Sequence, residues 1–191
     1  MNFREEAVAF WDEEVGRWVR GGRDLSPELH RWMSAYKGRG EGAVELSVFP
    51  EPYIGPLAGS STPALVMLGL NPGSAAREFQ GQNGIFTRQI AATSYGQWAA
   101  SAPYTGPAWE SVKGPNKYHR NRQSFARRLH ENDAVQANDL LYIELYPFHS
   151  KRVSADISPD PDLLHQFVFG PIGELDVAHV FAFGKPWMRV A

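Results

Sequence analysis

Apolar residues recur at Phe3, Ala7, Trp11, Val15 and Trp18, a three-to-four-residue spacing that predicts an amphipathic helix over residues 3–20. Asn2, with Glu5 three positions on, has the pattern of a capping box at its start. Ser26-Pro27-Glu28 opens a second helix running to about Tyr36, and glycines at 38, 40 and 42 end it. Residues 44–50 alternate enough for a short edge strand, and Glu51-Pro52-Tyr53-Ile54-Gly55 reads as an extended connector. Three apolar runs follow, at residues 64–70, 140–145 (which includes Glu144) and 179–183 (which begins at His179), with helical patterns between them at 86–100, 121–132 and 160–169. Strands alternating with helices predict an α/β fold: a central, mostly parallel sheet covered on both faces, hence three layers. Residues 101–119 carry Gly, Pro and Tyr and are expected to form a long functional loop. Nothing divides the chain, so residues 1–191 are read as one domain with an N-terminal helical segment over 1–42.

Composition narrows the chemistry. The 191 residues are 43% apolar, enough for a full core, and include no cysteine. Disulfides, thiol catalysis and cysteine-ligated metals are therefore excluded. The six histidines are scattered without ligand spacing, so no metal and no cofactor is expected. No apolar run approaches the roughly 20 residues that span a bilayer, and charge begins at Arg4, which argues against a signal peptide. A cytoplasmic monomer with no membrane partner is the expectation. Net charge is −2, yet residues 111–130 contain a single-sign block: Lys113, Lys117, Arg120, Arg122, Arg127 and Arg128 with no acid. Such a block is either a solvated helix face or a surface for phosphate.

The densest signal is Gly69-Leu70-Asn71-Pro72-Gly73 directly after the first apolar run. Gly69 and Gly73 permit positive φ and Pro72 stiffens the turn, which would fix Asn71 at a strand tip, where α/β sheets collect their chemistry. Asn-Pro-Gly is also an ordinary turn sequence.

With these pieces in order, residues 50–191 resemble the uracil-DNA glycosylase superfamily. Gly69-Leu70-Asn71-Pro72-Gly73 is similar to the first active-site motif of its mismatch-specific and thymine-type branches. Glu51-Pro52-Tyr53-Ile54-Gly55 is similar to a segment of bacterial members, and Gly184-Lys185-Pro186 after the third run resembles a turn that touches DNA phosphate. The resemblance implies a metal-free hydrolase acting on the N-glycosidic bond of a base flipped out of DNA. Asn71 would orient the attacking water, with Gly69, Leu70, Pro72 and Gly73 shaping the base pocket. Phe86, or Phe79 in its place, would stack on the base, Phe86 having an equal reading as core. Tyr146 would also face the base. The basic block, Lys151-Arg152, Gly184 and Lys185 would hold phosphates.

Uracil-removing relatives carry an Asn near the end of the second strand where this chain has Glu144. A carboxyl accepts from an exocyclic amine such as cytosine N4 and, once protonated, donates to N3. Burial would favour that protonated form. A modified cytosine, such as the glucosylated hydroxymethylcytosine of phage DNA, is the expected substrate, and the small residues between 75 and 119 would leave room for its substituent. Glu144 can equally be a carboxylate paired with Arg122 or Lys151. The superfamily's second motif, a His-bearing loop after a last strand, has no counterpart before Ala191, so the resemblance implies either a shortened version of the fold lacking that strand, or that His149 and Lys185 take over part of its charge-stabilising role. Alternatives are a uracil or thymine mismatch glycosylase, a non-catalytic module sensing an altered base, and an enzyme on free nucleosides.

Overall fold

Residues 2–59, 61–153 and 157–190 are described by the computed structural model. Helix α1 (Phe3–Val19) begins with the expected capping box, Glu5 N donating to Asn2 Oδ1 at 2.9 Å and Asn2 N to Glu5 Oε2 at 3.3 Å. Its aromatic stripe is core: Trp11 packs 5.5 Å from Trp32 of α2 (Pro27–Ser34) and 5.7 Å from Phe167. Satisfying the orphan N–H groups and burying one apolar face together account for this helix.

Four strands form an open, mixed sheet: β1 (Tyr53–Ile54), β2 (Leu65–Gly69), β3 (Leu140–Glu144) and β4 (Val180–Ala182), in the order β1-β3-β2-β4. Strand β2 runs parallel to both β3 and β4, and β1 runs antiparallel to β3. The first four residues of both β2 and β3 are buried, as expected of strands covered on two sides. Strand β4 lies at an edge, with Val180 exposed.

The strand expected over residues 44–50 reduces to one bridge, Val48 to Gly81. The pairing strand is instead the supposed connector. Pro50 and Pro52 lack N–H donors, so a ladder starts only at Tyr53, opposite Ile143. Glu51, between the prolines, spends its N–H on Pro147 O at 2.7 Å.

The expected loop over 101–119 is largely helical. A 3-10 turn at Pro103–Thr105 leads to a helix over Pro107–Lys113, both opening on a proline whose missing N–H costs a first turn nothing. The 86–100 pattern is two helices, Ile85–Ala92 and Tyr95–Ala100, the second capped by Ser94. A long basic helix, Lys117–Leu129, is capped by Asn116. The last pattern runs as Pro161–Leu164, a π turn at His165–Phe169 and Gly170–Gly173.

Candidate functional site

At the carboxyl ends of β2 and β3 the surface opens into a cleft of about 340 Å³. That is the size of a small-ligand site, in the position where α/β sheets usually hold one. Asn71, Pro72 and Gly73 form one wall, Tyr142 and Glu144 the floor, and Glu51 with Gln80 the back. Four aromatic side chains also line the cleft: Tyr104, Trp109, Tyr118 and His119. Tyr104 and His119 stack with centroids 5.0 Å apart and rings nearly parallel at 6°, and His119 meets Tyr142 edge-on at 4.9 Å.

Asn71 is held by its nitrogen. Nδ2 donates to Ser150 Oγ at 3.0 Å and to Ser150 O at 3.1 Å, while Oδ1 takes no hydrogen bond from a described residue. The amide is thereby oriented with an acceptor unspent. Gly73, with φ 81°, supplies the left-handed conformation the turn needs. Gly69 does not adopt positive φ. Its value is space: a Cβ there would collide with both carboxyl oxygens of Glu144. Trp187 Nε1 donates to Gly69 O at 2.9 Å and pins the strand end.

No described residue donates a hydrogen bond to the Glu144 carboxyl, and its Oε2 is sealed from solvent without a partner. Both salt-bridge partners open to it in the sequence are engaged elsewhere. Arg122 lies over the rings of Tyr118 and Phe183, 4.8 and 4.2 Å from their centroids, and Lys151 pairs with Glu41. Burial, and then the charge of Glu51, pushes Glu144 from 4.5 up to about 8. A neutral carboxylic acid is the form this site favours at neutral pH.

Glu51 is the residue the sequence reading missed. It is 4% exposed and accepts from Tyr104 Oη at 2.8 Å and from Gln80 Nε2 at 3.0 Å. Burial raises it to about 7, against the pull of those two donors. Gln80 is oriented by Ala76 N, which donates to its Oε1 at 2.7 Å. A single carboxyl framed by two prolines in an apolar stretch was the available signal. Tyr104, Trp109, Tyr118 and His119 lie in the segment expected to be a long functional loop, which marked the region but not these residues.

His149 does not line the cleft. It is 1% exposed behind Glu51 and Gln80, with Nδ1 3.2 Å from Gly73 O and Nε2 3.4 Å from Gln80 Nε2. These partners assign the neutral tautomer with Nδ1–H donating and Nε2 accepting. Burial holds it down to about 4, so it carries no charge with which to stabilise a leaving base. Phe86 and Phe79 are fully buried against each other and Trp109, away from the cleft surface, so neither is placed to stack on a ligand. Tyr146 is likewise buried, against Tyr36 and Phe148. Leu70 packs beneath the site near Gly184, whose φ is 110° and where a Cβ would press on the Leu70 side chain.

The basic block is partly neutralised. Lys113 pairs with Glu78, and Arg120 with Glu110 at 2.7 Å. Arg127 Nε donates to Val135 O at 2.8 Å within its own loop connection. Lys117, Arg128 and Lys185 are exposed, with no side-chain partner among the described residues, and Arg152 is exposed beside the Lys151–Glu41 pair. Among the described residues no three His, Asp or Glu side chains converge as metal ligands would, and no helix is long and apolar enough to cross a membrane. Compared with known proteins, the chain matches no family model, no curated protein and no solved structure.

Proposed function

We propose that the cleft hydrolyses an N-glycosidic bond of a base extruded from DNA, within a three-layer α/β/α architecture like that of the uracil-DNA glycosylases. The observation that carries the reading is one juxtaposition: an Asn71 amide clamped by its nitrogen and a Glu144 carboxyl with no donor partner, on neighbouring strand tips facing one cleft. Asn71 Oδ1 orients water toward the sugar C1′. The water oxygen bonds C1′ as the C1′–N bond breaks, the bonding pair leaves with the base, and the proton the water gives up ends on that departing base. A neutral Glu144 donates to a ring nitrogen and accepts from the neighbouring amine, the pattern of a cytosine edge. The base packs against the wall of Tyr104, Trp109, Tyr118 and His119, taking the stacking role away from Phe86. A modified cytosine, including the glucosylated hydroxymethyl form, is the substrate favoured here.

The test is base release from DNA carrying uracil, cytosine, hydroxymethylcytosine or its glucosylated form, with freed bases identified by mass spectrometry. Release of a cytosine derivative, lost in Asn71→Ala, is expected. Uracil alone being released would keep the enzyme and remove the Glu144 argument. A second reading, hydrolysis of free nucleosides, draws on the ion pairs that occupy Lys113 and Arg120. It predicts turnover of nucleosides that ignores added salt, whereas DNA binding weakens steeply with salt.

A further inference from the structure

We infer that Glu51 and Glu144 act as one dyad holding a single proton, with the charge on Glu51 and the proton on Glu144, so that Glu51 is a positioning residue for the base-reading acid. The assignment follows from where the donors are. Tyr104 Oη lies 2.8 Å from both Glu51 oxygens and Gln80 Nε2 lies 3.0 Å from one of them. Glu144 receives no donor from a described residue and has one sealed, orphaned oxygen. Donors aimed at a carboxylate stabilise its charged form, and an orphaned buried oxygen is costly as an anion and tolerable as an acid. Two carboxyls on one cleft, Glu51 buried and Glu144 half-buried with one oxygen sealed, cannot both ionise cheaply, so the group without donors keeps the proton.

The surroundings agree from every side. On the β1 side Tyr53 is neutral, burial pushing its hydroxyl far up, and Tyr95 behind it is likewise pushed up by burial and by Glu51. On the β2 side the missing Cβ of Gly69 lets the Glu144 carboxyl lie against the backbone. From the loop after β3, His149 turns an accepting Nε2 toward Gln80 and offers Glu51 no proton at 3.8 Å. Across the cleft His119 is held neutral by burial and by the Arg122 cation, which is committed to two rings. Among the described residues no cation pairs with either carboxyl, so only one of them bears charge.

What this does to a substrate rests on the glycosylase reading: the neutral acid supplies the hydrogen bond to cytosine N3, and the fixed anion at Glu51 stabilises the positive charge that develops at C1′. The test uses the full chain with 13C-labelled glutamate carboxyls. In the wild type the Glu144 resonance is expected to titrate near 8. In Glu51→Gln its midpoint falls by about one pH unit or more, because the neighbouring anion is gone. Tyr104→Phe, which keeps the ring and removes one donor, moves the Glu51 midpoint upward, and it serves should Glu51→Gln not fold. A Glu144 midpoint in the ordinary carboxylate range, or one unmoved by both changes, overturns the dyad. Base release on the same proteins separates the two ideas. Release whose alkaline limit is unmoved in Glu51→Gln overturns the dyad, whereas no release from any DNA, with the titration as expected, overturns the glycosylase reading alone and upholds the dyad.

Discussion

Glu144→Gln makes the burial of an unpartnered carboxyl measurable as a pH-dependent stability. Its folded pKa is raised, from 4.5 to about 8, so the folded chain holds a proton that the unfolded chain has released. Between those values stability must fall as pH rises, and the contribution is intact only below the unfolded pKa. The full displacement corresponds to about 5 kcal/mol as an upper bound, of which about 3 kcal/mol is expressed between about pH 5 and pH 8. The two neutral histidines act in the opposite direction. His149 and His119, lowered from 6.5 to about 4, lose stability as pH falls below 6.5. Glu51, raised to about 7, loses stability as pH rises in the same way as Glu144, so the wild type is expected to be most stable at about pH 5 to 6. Gln has nearly the same shape and does not titrate, and the histidine terms cancel in the comparison. Urea or thermal unfolding of both proteins across this range should show the variant gaining on the wild type with every step above about pH 6. At about 2–4 °C per kcal/mol for a chain of this size, the relative Tm should move by on the order of 10 °C. A difference flat to within about 0.5 kcal/mol would mean that Glu144 is ionised in the folded protein, and the argument from its missing partners would be wrong.

Gly69→Ala should cost about 1–3 kcal/mol by overpacking against the Glu144 carboxyl, and adding Glu144→Ala should recover much of that loss in a double-mutant unfolding cycle. Asn71→Ala, at a half-buried strand tip, should leave Tm within a few degrees while lowering base release at least about a hundredfold. Phe86→Ala should behave as a core truncation, losing about 3–5 kcal/mol in urea titration, and a loss confined to ligand affinity would contradict its placement. Lys117→Ala, Arg128→Ala and Lys185→Ala should each reduce the salt dependence of DNA affinity by about one phosphate contact, whereas Arg120→Ala, already paired with Glu110, should change it little.

The elements legible in the sequence were those whose signal is local. The capping box at Asn2, the apolar runs of β2 and β3, and the Asn71 turn are each written within a few residues. Helices over residues 101–119 were hidden because Gly and Pro mark turns and helix first positions alike, and only the fold decides between them. Phe86 illustrates the opposite failure. An aromatic residue soon after an active-site turn invites a stacking role, yet the cluster that buries it, with Trp98, Tyr104 and Trp109, comes from segments up to 23 residues away. Lone basic residues give no hint of their partners, so the pairing of Lys113 with Glu78 could not be foreseen from a block without acids.

Glu51 shows why the chemistry of this cleft is a tertiary product. Nothing near Glu51 in sequence is charged between Glu45 and Arg77, and nothing there marks it as reactive. Flanking prolines keep its segment extended and delay pairing until Tyr53, so that β1 adds antiparallel to β3 beside the carboxyl end of that strand. Glu144 N then donates to Pro52 O at 2.8 Å, which fixes the two acidic residues on adjoining segments, with no cation between them among the described residues. A one-residue slip in this register would exchange the faces of β3 and carry Glu144 out of the cleft. The short antiparallel strand thus does two things at once: it closes the sheet edge, and it sets a hydrogen-bonded carboxylate beside an orphaned acid. The difference between their surroundings, rather than either residue alone, is what gives the cleft a proton to donate at neutral pH.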